Sequence, residues 1–413
     1  MRETAADFNR TSPHASAAPP ASPAAAFAAA PVIGWLVGGA RRIAAPGALL
    51  AALGRRLVEG GLPLARASLH LQVLHPQYRA ESFLWWREGD DVLELTHGEG
   101  SDRERRYLES PLRAILDGAE GLRRRLDDPR VALDYPILGE FRARGLTDYV
   151  MMPLVFSDGP RHAVSWASDR PGGFSTDELD ALYRLLPYFS LVLEALIRHE
   201  IARTVLETYV GREAGRRVLA GEIRRGSGRT MRAAIWYSDL RDFTRLSETR
   251  PSEAVIATLN HYFDCMAGAV HGRGGEVLKF IGDGMLAIFP CSDADRCDAT
   301  TAALAAARDA LHRLAADDCA ELETGIALHY GDVLYGNIGA ADRLDFTVIG
   351  PAVNLVARVE GLSRELRTPV VMTEAFVTAS RLAPVSLGAF DLKGIAARQQ
   401  VFTLPELAAP AGR

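Results

Sequence analysis

Two aspartates stand where the chain leaves predicted strands, and carboxylates at such positions are common ligands of divalent cations. The apolar run 233–237 predicts a buried strand that ends close to Asp239. Two further apolar runs, 277–281 and 285–289, are joined by Gly282-Asp283-Gly284, which predicts a hairpin with Asp283 at its tip. Either aspartate alone is more typical of a turn. The two together predict one point at which two carboxylates meet.

A third segment supplies an amide and a fixed cation. Gly350-Pro351 ends a predicted strand and begins a predicted helix, because Pro suits the first helical turn. Asn354 and Arg358 are four residues apart on that helix, so their side chains lie on one face, one turn from each other. The helix is predicted to bury the apolar residues that recur at helical spacing: Leu355, Val359, Leu362 and Leu366.

The three segments, SDLRDFT, KFIGDG and FTVIGPAVNLVAR, have the order and spacing of a class III nucleotide cyclase domain, which this part of the chain resembles. The resemblance covers about residues 205–405. It implies an α+β catalytic domain of the ferredoxin-like or palm type, here assigned to residues 223–407. In that family the ribose 3′-hydroxyl of a nucleoside triphosphate attacks its own α-phosphate and expels pyrophosphate. Two divalent ions, Mg²⁺ or Mn²⁺, are implied as cofactors.

The resemblance also assigns roles around the first two segments. Asp239, Asp283 and the backbone carbonyl of Leu240 are implied metal ligands, because Mg²⁺ and Mn²⁺ prefer oxygen. The backbone amides around Phe243 and Thr244 are implied to contact the phosphates.

Further roles fall on the third segment and on the C-terminal region. Asn354 is implied to orient the ribose, and Arg358 to stabilise charge on the α-phosphate, since its guanidinium stays protonated. Near the C-terminus the family often has Lys-Gly followed by a phosphate-binding lysine. Lys393 matches the first lysine only, and Ile395 follows Gly394. A phosphate contact from Lys393 is therefore a separate prediction.

Two positions select the base in this family. Lys279 occupies the position where adenylyl cyclases carry Lys and guanylyl cyclases carry Glu. Thr347 occupies the second, where a bacterial subgroup noted for bicarbonate stimulation has Thr or Ser and most animal adenylyl cyclases have Asp. A lysine donor suits N1 of adenine, which is an acceptor. The implied reaction is therefore conversion of ATP to cyclic AMP.

Other functions remain open on the same residues. A guanylyl cyclase is the nearest alternative enzyme, and Lys279 argues against it. A diguanylate cyclase is disfavoured because Ile-Gly-Asp-Gly-Met replaces its acidic hairpin. A catalytically silent nucleotide-binding regulator is the alternative from another class. Asp242 favours this alternative, because many members of the family have Gly at this position. Its side chain is expected either to point to solvent or to pair with Arg241 or Arg245.

Composition bounds the rest of the chain. With 413 residues, 48% hydrophobic and 24% charged, the chain is long enough for two or three domains with cores. A net charge of −5 gives no indication of a nucleic-acid partner. The four cysteines match no zinc spacing and predict reduced thiols of a cytoplasmic protein: Cys265, Cys291, Cys297 and Cys319.

The N-terminal segment does not predict a membrane anchor. Residues 1–31 are rich in Ala, Pro and Ser, which predicts a disordered tail. The apolar run 24–40 is interrupted by Pro and Gly and is too short for a membrane span. Glu3 and Asp7 argue against a signal peptide. A peripheral membrane contact through Val32–Leu36 stays open.

Residues 32–180 predict an α+β domain. A helix is expected at Pro46–Glu59, and the alternation of apolar and polar residues at 67–73 predicts a half-buried strand. Further strands are expected at 83–86, 92–95, 149–156 and 163–167, and a turn then a helix within 127–145. The phrases YVMMPLVF, HAVSWAS and PGGFSTDELDAL resemble a GAF-type sensory domain. The resemblance implies an unknown small-molecule or protein effector.

Residues 181–222 predict a helical linker. Its apolar stripe is typical either of a parallel coiled coil in a dimer or of one helix packed on its own domain: Leu182, Leu186, Phe189, Leu193 and Leu196. In the cyclase family each active site lies between two catalytic domains. A homodimer is therefore implied, with the metal aspartates from one subunit and the base, ribose and phosphate contacts from the other.

Overall fold

The computed structural model describes residues 27–74, 78–89, 91–98, 108–157, 159–291, 296–316, 322–380 and 382–408. The chain divides into two compact units, Met1–Ile201 and Ala202–Arg413. Residues 1–26 of the predicted tail lie outside the described residues.

The first unit combines helices with one sheet. In chain order it contains α1 (Ala30–Gly38), a short 3₁₀ helix (Ala40–Arg42), α2 (Pro46–Glu59), β1 (Arg66–Gln72), β2 (Ala80–Trp86), β3 (Val92–His97), α3 (Pro111–Leu116), β4 (Leu122–Arg125), α4 (Pro136–Ala143), β5 (Asp148–Val155), β6 (Arg161–Ser168) and the start of α5 (Thr176–Val210). The predicted helix at Pro46–Glu59 and the predicted strands are confirmed, the strands with bounds that differ by up to three residues.

The six strands form an antiparallel sheet in the order β3-β2-β1-β6-β5-β4. One face packs on α2 and α5, and Ala67 and Leu69 of β1 belong to that cluster. The other face carries a second apolar cluster with residues of α3 and α4. The prediction of a half-buried β1 was wrong, because Arg66 and Ser68 on its polar side are also only 4% and 0% exposed.

Two local features of this unit follow from its sequence. Ser175 and Glu178 form a capping box at the start of α5: Ser175 N donates to Glu178 Oε2 at 2.7 Å, and Glu178 N donates to Ser175 Oγ at 3.2 Å. Pro153 lies in β5 beyond Met151, where the pairing with β4 ends. A residue without an N–H is tolerated there, as at a sheet edge.

The start of the first unit corrects one expectation. Val32 and Leu36, offered as a peripheral membrane contact, are 4% and 0% exposed and lie in the core cluster of this unit. They are one turn apart on α1, so both side chains face the core. No helix among the described residues is long and apolar enough to cross a membrane.

The helical structure predicted for residues 181–222 is confirmed as far as Leu219, with a break. α5 ends at Val210, Gly211 has φ of +91°, and α6 (Arg212–Leu219) begins the next helical segment. Leu182, Leu186 and Phe189 of the predicted apolar stripe are buried against the core of the first unit. The sequence left a packed helix and a coiled coil open, and this part of α5 is packed.

The second unit is an α+β domain around an eight-stranded sheet. After α6 it contains β7 (Gly228–Leu240), α7 (Phe243–Thr249), α8 (Ser252–Gly272), β8 (Glu276–Ile281), β9 (Gly284–Pro290), α9 (Arg296–Ala316), β10 (Thr324–Gly339), β11 (Leu344–Ile349), α10 (Pro351–Glu360), α11 (Leu362–Glu365), β12 (Val370–Thr373), α12 (Glu374–Ser380), β13 (Val385–Phe390), β14 (Gln399–Thr403) and a 3₁₀ helix (Pro405–Leu407). The sheet order is β13-β14-β12-β10-β7-β9-β8, and β11 pairs with β10.

β7 lies inside this sheet and is buried on both faces. Ala234 and Trp236 pack in one cluster with residues of α8, α9 and α12. Ala233 and Ile235 pack in the other with residues of α6 and α10. The sequence of such a strand is a continuous apolar run because both of its faces are covered. The predicted strand and hairpin are both confirmed, and β7 extends further at each end than the run 233–237.

The helix after Gly350 differs from its prediction. α10 ends at Glu360, and Leu362 begins the separate α11. The buried residues of α10 are Ala352, Val356 and Val359, whereas Leu355 is only partly buried. The rotation of the helix on its sheet selects this face, and the small Ala352 lets the helix approach closely.

Two of the four cysteines can be described. Cys265 and Cys291 are free thiols, the first buried and the second partly buried. The side chains of Cys297 and Cys319 lie outside the described residues.

Candidate active site

The two aspartates predicted to meet do meet. β7 pairs with β9 through Ser238 and Met285, which brings Asp239 to the turn of the β8–β9 hairpin. There its carboxyl lies beside that of Asp283, and burial together with the negative charge of Asp283 helps to raise the pKa of Asp239. A Cβ atom at Gly284 would lie 3.3 Å from Asp239 Oδ1. The absence of a side chain at residue 284 therefore permits the close approach of the hairpin.

The strand end that carries Asp239 is held from the opposite side. Thr324 of β10 donates its hydroxyl to the carbonyl oxygen of Asp239 at 2.9 Å. The buried hydroxyls of Thr324 and Tyr262 are 2.9 Å apart and hydrogen-bonded. Leu240 is 1% exposed in the core. These contacts hold Asp239 in place, because the strand end cannot move without disrupting buried hydrogen bonds and packing.

A third carboxylate lies near the pair, and the sequence did not indicate it. Glu360, the last residue of α10, is partly buried, and its Oε1 would lie 2.3 Å from a Cβ at Gly325, the residue paired with Asp239 across β7 and β10. Burial, then the negative charges of Asp283 and Glu360, raise the pKa of Asp239 to about 7. The carboxyl of Asp239 therefore holds a proton in much of the folded chain near neutral pH.

This environment fits a divalent cation. Two adjacent carboxylates are oxygen ligands whose mutual repulsion a metal ion relieves, and at Asp239 the ion would replace a proton. The described residues hold no group of three or more His, Cys, Asp or Glu side chains arranged as a metal site. The remaining ligands would be the Leu240 carbonyl, water and substrate phosphates, as is usual for Mg²⁺.

The raised pKa predicts pH-dependent metal binding. Below about pH 7 a cation must displace the proton from Asp239, so we expect the apparent Mn²⁺ affinity to rise about tenfold per pH unit up to pH 7 and then level off. The same shift predicts that this group stabilises the fold below pH 4 and that this stability is lost between pH 4 and 7. Calorimetric titration of Mn²⁺ from pH 5.5 to 8.5 tests the affinity. An affinity constant across that range contradicts the prediction.

Asp242 is accommodated by its backbone conformation. Its φ of +56° and ψ of 23° are left-handed, a region that glycine adopts freely and that Asp tolerates better than most residues. Its side chain is exposed and caps no amide of α7. Arg241 instead donates to the carbonyl oxygens of Ser363 at 3.0 Å and Thr368 at 2.9 Å. Of the expected arrangements, the pairing with Arg241 is wrong and exposure to solvent is observed.

Replacing Asp242 tests this interpretation. We expect Asp242→Val to cost about 1–2 kcal/mol of stability, because a β-branched residue disfavours the left-handed region. Asp242→Gly is expected to change stability by less than about 0.5 kcal/mol, since relief of strain and gain of unfolded-state entropy oppose each other. Urea unfolding midpoints of the two variants measure the difference. Equal midpoints would show that this residue does not need the left-handed conformation.

The two positions that are predicted to select the base lie on neighbouring elements. Lys279 Nζ, on β8, donates to Asp345 Oδ2 of β11 at 3.1 Å. Asp345 is two residues from Thr347 and shares its face of the strand. Thr347 is 4% exposed, and its hydroxyl is buried without a hydrogen-bond partner. Asp345 was not singled out from the sequence, although its spacing from Thr347 was a usable signal.

The other predicted contacts are on the surface. Asn354 and Arg358 are exposed on one face of α10, and the described residues form no ion pair with Arg358. Phe243 is partly buried against the core, whereas Thr244 is exposed. Lys393 is exposed in a turn that Ile395 N closes by donating to Leu392 O at 3.0 Å. A single chain thus groups Asp239 with Asp283, and Lys279 with Asp345, while Asn354, Arg358 and Lys393 remain separate.

Comparison with known proteins agrees with this geometry. Residues 227–404 match the family described as the adenylate and guanylate cyclase catalytic domain. An adenylate cyclase of Anabaena cylindrica is 31% identical over 153 residues, which are 36% of this chain and 30% of that protein. Adenylate cyclase 1 of Rhizobium meliloti (strain 1021) is 31% identical over 147 residues, 34% of this chain and 22% of that protein. The chain thus spans less than a third of either relative.

Solved structures of both kinds of cyclase are similar. A bacterial light-regulated adenylyl cyclase is 23% identical, with 62% of this chain and 86% of that chain covered and a TM-score of 0.45. The guanylyl cyclase Cya2 is 28% identical, with 45% and 97% covered and a TM-score of 0.37. By the family match, residues 227–404 are similar to cyclase catalytic domains, and adenylate cyclases are among the relatives of this part of the chain.

Proposed function

We propose that this chain, which carries an adenylate and guanylate cyclase catalytic domain, is an adenylate cyclase that converts ATP to 3′,5′-cyclic AMP and pyrophosphate. The observation that carries the proposal is the Asp239–Asp283 pair, formed where β7 ends beside the β8–β9 hairpin. Carboxylates with a raised pKa in a partly buried site are typical of functional positions. The family match supports a role for that pair in the cyclisation of a nucleoside triphosphate.

In the proposed reaction the residues of this chain bind and orient the nucleotide. Asp239 and Asp283 would hold two divalent ions, which neutralise the triphosphate and favour attack by the 3′-hydroxyl. The amides around Phe243 and Thr244, together with Lys393, would contact the phosphates. Asn354 would orient the ribose so that its 3′-oxygen lies in line with the leaving pyrophosphate.

Charge and base recognition are assigned to the remaining residues. Arg358 would stabilise the charge that develops on the α-phosphate, because its guanidinium is always protonated and no carboxylate among the described residues is paired with it. Lys279 would donate to N1 of adenine. Thr347 would accept from the adenine amino group once a nucleotide displaces the packing that now buries its hydroxyl.

The active form is proposed to be a homodimer. Cyclase domains of this family typically dimerise, and the surface position of Asn354 and Arg358 suits contact with a nucleotide held by a second chain. Each site would combine the aspartate pair of one subunit with Lys279, Asn354 and Arg358 of its partner. A homodimer with two-fold symmetry would have two such sites, because the symmetry repeats every contact between the subunits.

The first unit is proposed to regulate the second through α5 and α6. A small rotation of two catalytic domains would open or close the shared sites. Removal of residues 1–180 is expected to change both the basal rate and the response to effectors. A truncated chain with the rate and responses of the full chain contradicts this regulatory role.

The activity is tested with the purified full chain given ATP or GTP in the presence of Mg²⁺ or Mn²⁺. Cyclic AMP from ATP is the expected product. Cyclic GMP would overturn the base assignment of Lys279 and Thr347 while leaving the catalytic domain intact. Absence of any product, with nucleotide binding retained, would favour a silent regulator.

Asp345 provides a finer test of base recognition. Without its carboxylate Lys279 loses a partner that holds the ammonium in place, so we expect Asp345→Asn to raise the KM for ATP about two- to fivefold with little change in kcat. Steady-state kinetics measure both constants. Asp342→Asn, on the same exposed connection, serves as the control and should leave KM unchanged. An unaltered KM in Asp345→Asn means that the ion pair does not position Lys279.

A further inference from the structure

Arg66 of β1 is a charged side chain enclosed in the first unit. It is only 4% exposed. A buried cation is normally paired with a carboxylate, because removing an unpaired charge from water is far more costly than removing a neutral polar group. Among the described residues, no Asp or Glu forms an ion pair with Arg66. The proposed cyclase reaction makes no use of this side chain.

The hydrogen-bond partners of Arg66 are neutral. Its Nη1 donates to Ser68 Oγ and to Ser165 Oγ, each at 3.3 Å, and the two hydroxyls are 2.6 Å apart across the β1–β6 pair. Its Nε is fully buried, and neither Nε nor Nη2 has a hydrogen-bond partner among the described residues. The guanidinium edge formed by Nε and Nη2 is therefore unused, and this edge can hold a carboxylate with two parallel hydrogen bonds.

The surroundings of Arg66 are aromatic and positively charged. Its guanidinium carbon lies 4.8 Å from the ring centre of Phe141 and 5.6 Å from that of Trp86. The guanidinium of Arg144 lies 5.4 Å from the same Trp86 ring. Burial raises the pKa of the neighbouring Tyr149 to about 12, so its phenol stays neutral. Arg66 and Arg144 thus lie beside the Trp86 ring, and among the described residues no Asp or Glu is hydrogen-bonded to Arg66 on this face, which the apolar cluster of α3 and α4 covers.

We propose that Arg66 binds the carboxylate of a small organic acid, and that this is the ligand site of the first unit. The Nε and Nη2 edge holds the carboxylate, and the rings of Trp86 and Phe141 contact the apolar body of the ligand. Binding supplies the missing countercharge of a buried cation. The ligand therefore gains a charge-assisted hydrogen-bond pair in a site that is already desolvated.

Thermal unfolding of the full chain tests the proposal. Sodium benzoate, sodium acetate and sodium chloride are compared at equal ionic strength on wild type, Arg66→Met and Arg56→Met. We expect both carboxylates to raise the wild-type midpoint above its value in chloride, and benzoate to do so more strongly. Loss of the guanidinium in Arg66→Met should weaken carboxylate binding about 30-fold or more. Arg56→Met removes a guanidinium 4.1 Å from the Trp35 ring and should keep the response.

The outcomes separate a ligand site from a structural arginine. A wild-type chain that responds no more to carboxylates than to chloride overturns the proposal, whatever the stability of the variants. A carboxylate response that persists in Arg66→Met also overturns it. If Arg66→Met does not fold, Arg66→Lys keeps the charge and loses the planar fork, and its response should fall well below that of wild type. The readout does not involve cyclase activity, so failure here leaves the proposed function untouched.

Discussion

Asp283→Asn is expected to lower the rate of cyclic AMP formation at least about 1,000-fold, because one of two carboxylates proposed to hold the metal ions is lost. The substitution keeps the shape of the hairpin tip and removes only the charge. It also removes a negative neighbour that raises the pKa of Asp239. We therefore expect the folded chain without metal to be as stable as wild type, or more stable, at pH 8.

The measurement combines rate and stability. Product formation from ATP with Mn²⁺ gives the rate, and thermal unfolding with and without Mn²⁺ shows whether the metal still binds. Asp264→Asn changes an exposed aspartate of α8 and is the matched control, with wild-type behaviour expected. Activity within about tenfold of wild type in Asp283→Asn would remove the aspartate pair from the catalytic role. Inactivity accompanied by a large loss of stability would indicate a structural defect instead.

Local sequence patterns were sufficient to predict the strand and the hairpin that carry Asp239 and Asp283. Continuous apolar runs and the Gly-Asp-Gly turn predicted β7 and the β8–β9 hairpin, because a strand covered on both faces and a tight turn each constrain the residues that form them. The convergence of Asp239 and Asp283 followed from those two elements. The position of Glu360 near these aspartates could not be predicted, because its approach to Gly325 depends on how α10 is rotated against β7 and β10.

The same rotation explains the mistake on α10. Leucines at helical spacing suggested a buried stripe through Leu355, but the sheet selects Ala352, Val356 and Val359. Helical periodicity gives the spacing of a face and leaves its absolute direction open when apolar residues occur on several sides. For β1, the alternation predicted the two faces of the strand correctly but the burial of the polar face incorrectly. It correctly separated Ser68 from Leu69, yet a polar face was taken as solvent-exposed, and α4 with its apolar neighbours covers it.

Mixing two inactive variants tests the shared site most directly. Asp283→Asn and Arg358→Ala chains, each inactive alone, are expected to recover about a quarter of the wild-type rate when mixed in equal amounts. Half of the randomly formed dimers contain both chains, and one of the two sites in such a dimer has Asp283 from one subunit and Arg358 from the other. The chains are mixed under conditions that allow subunit exchange, and cyclic AMP is measured over time.

The matched control is a mixture of Asp283→Asn with Asp239→Asn. Both changes affect the same half of the site, so every dimer lacks a complete aspartate pair and no recovery is expected. Recovery in the first mixture alone would therefore place Asp283 and Arg358 of one site on different subunits. A site assembled within a single chain predicts no recovery in either mixture, provided that size-exclusion chromatography shows mixed dimers. The two mixtures thus differ in their recovered rate only if the site is divided between subunits. Both contain inactive variants, so general effects on stability or activity apply to both.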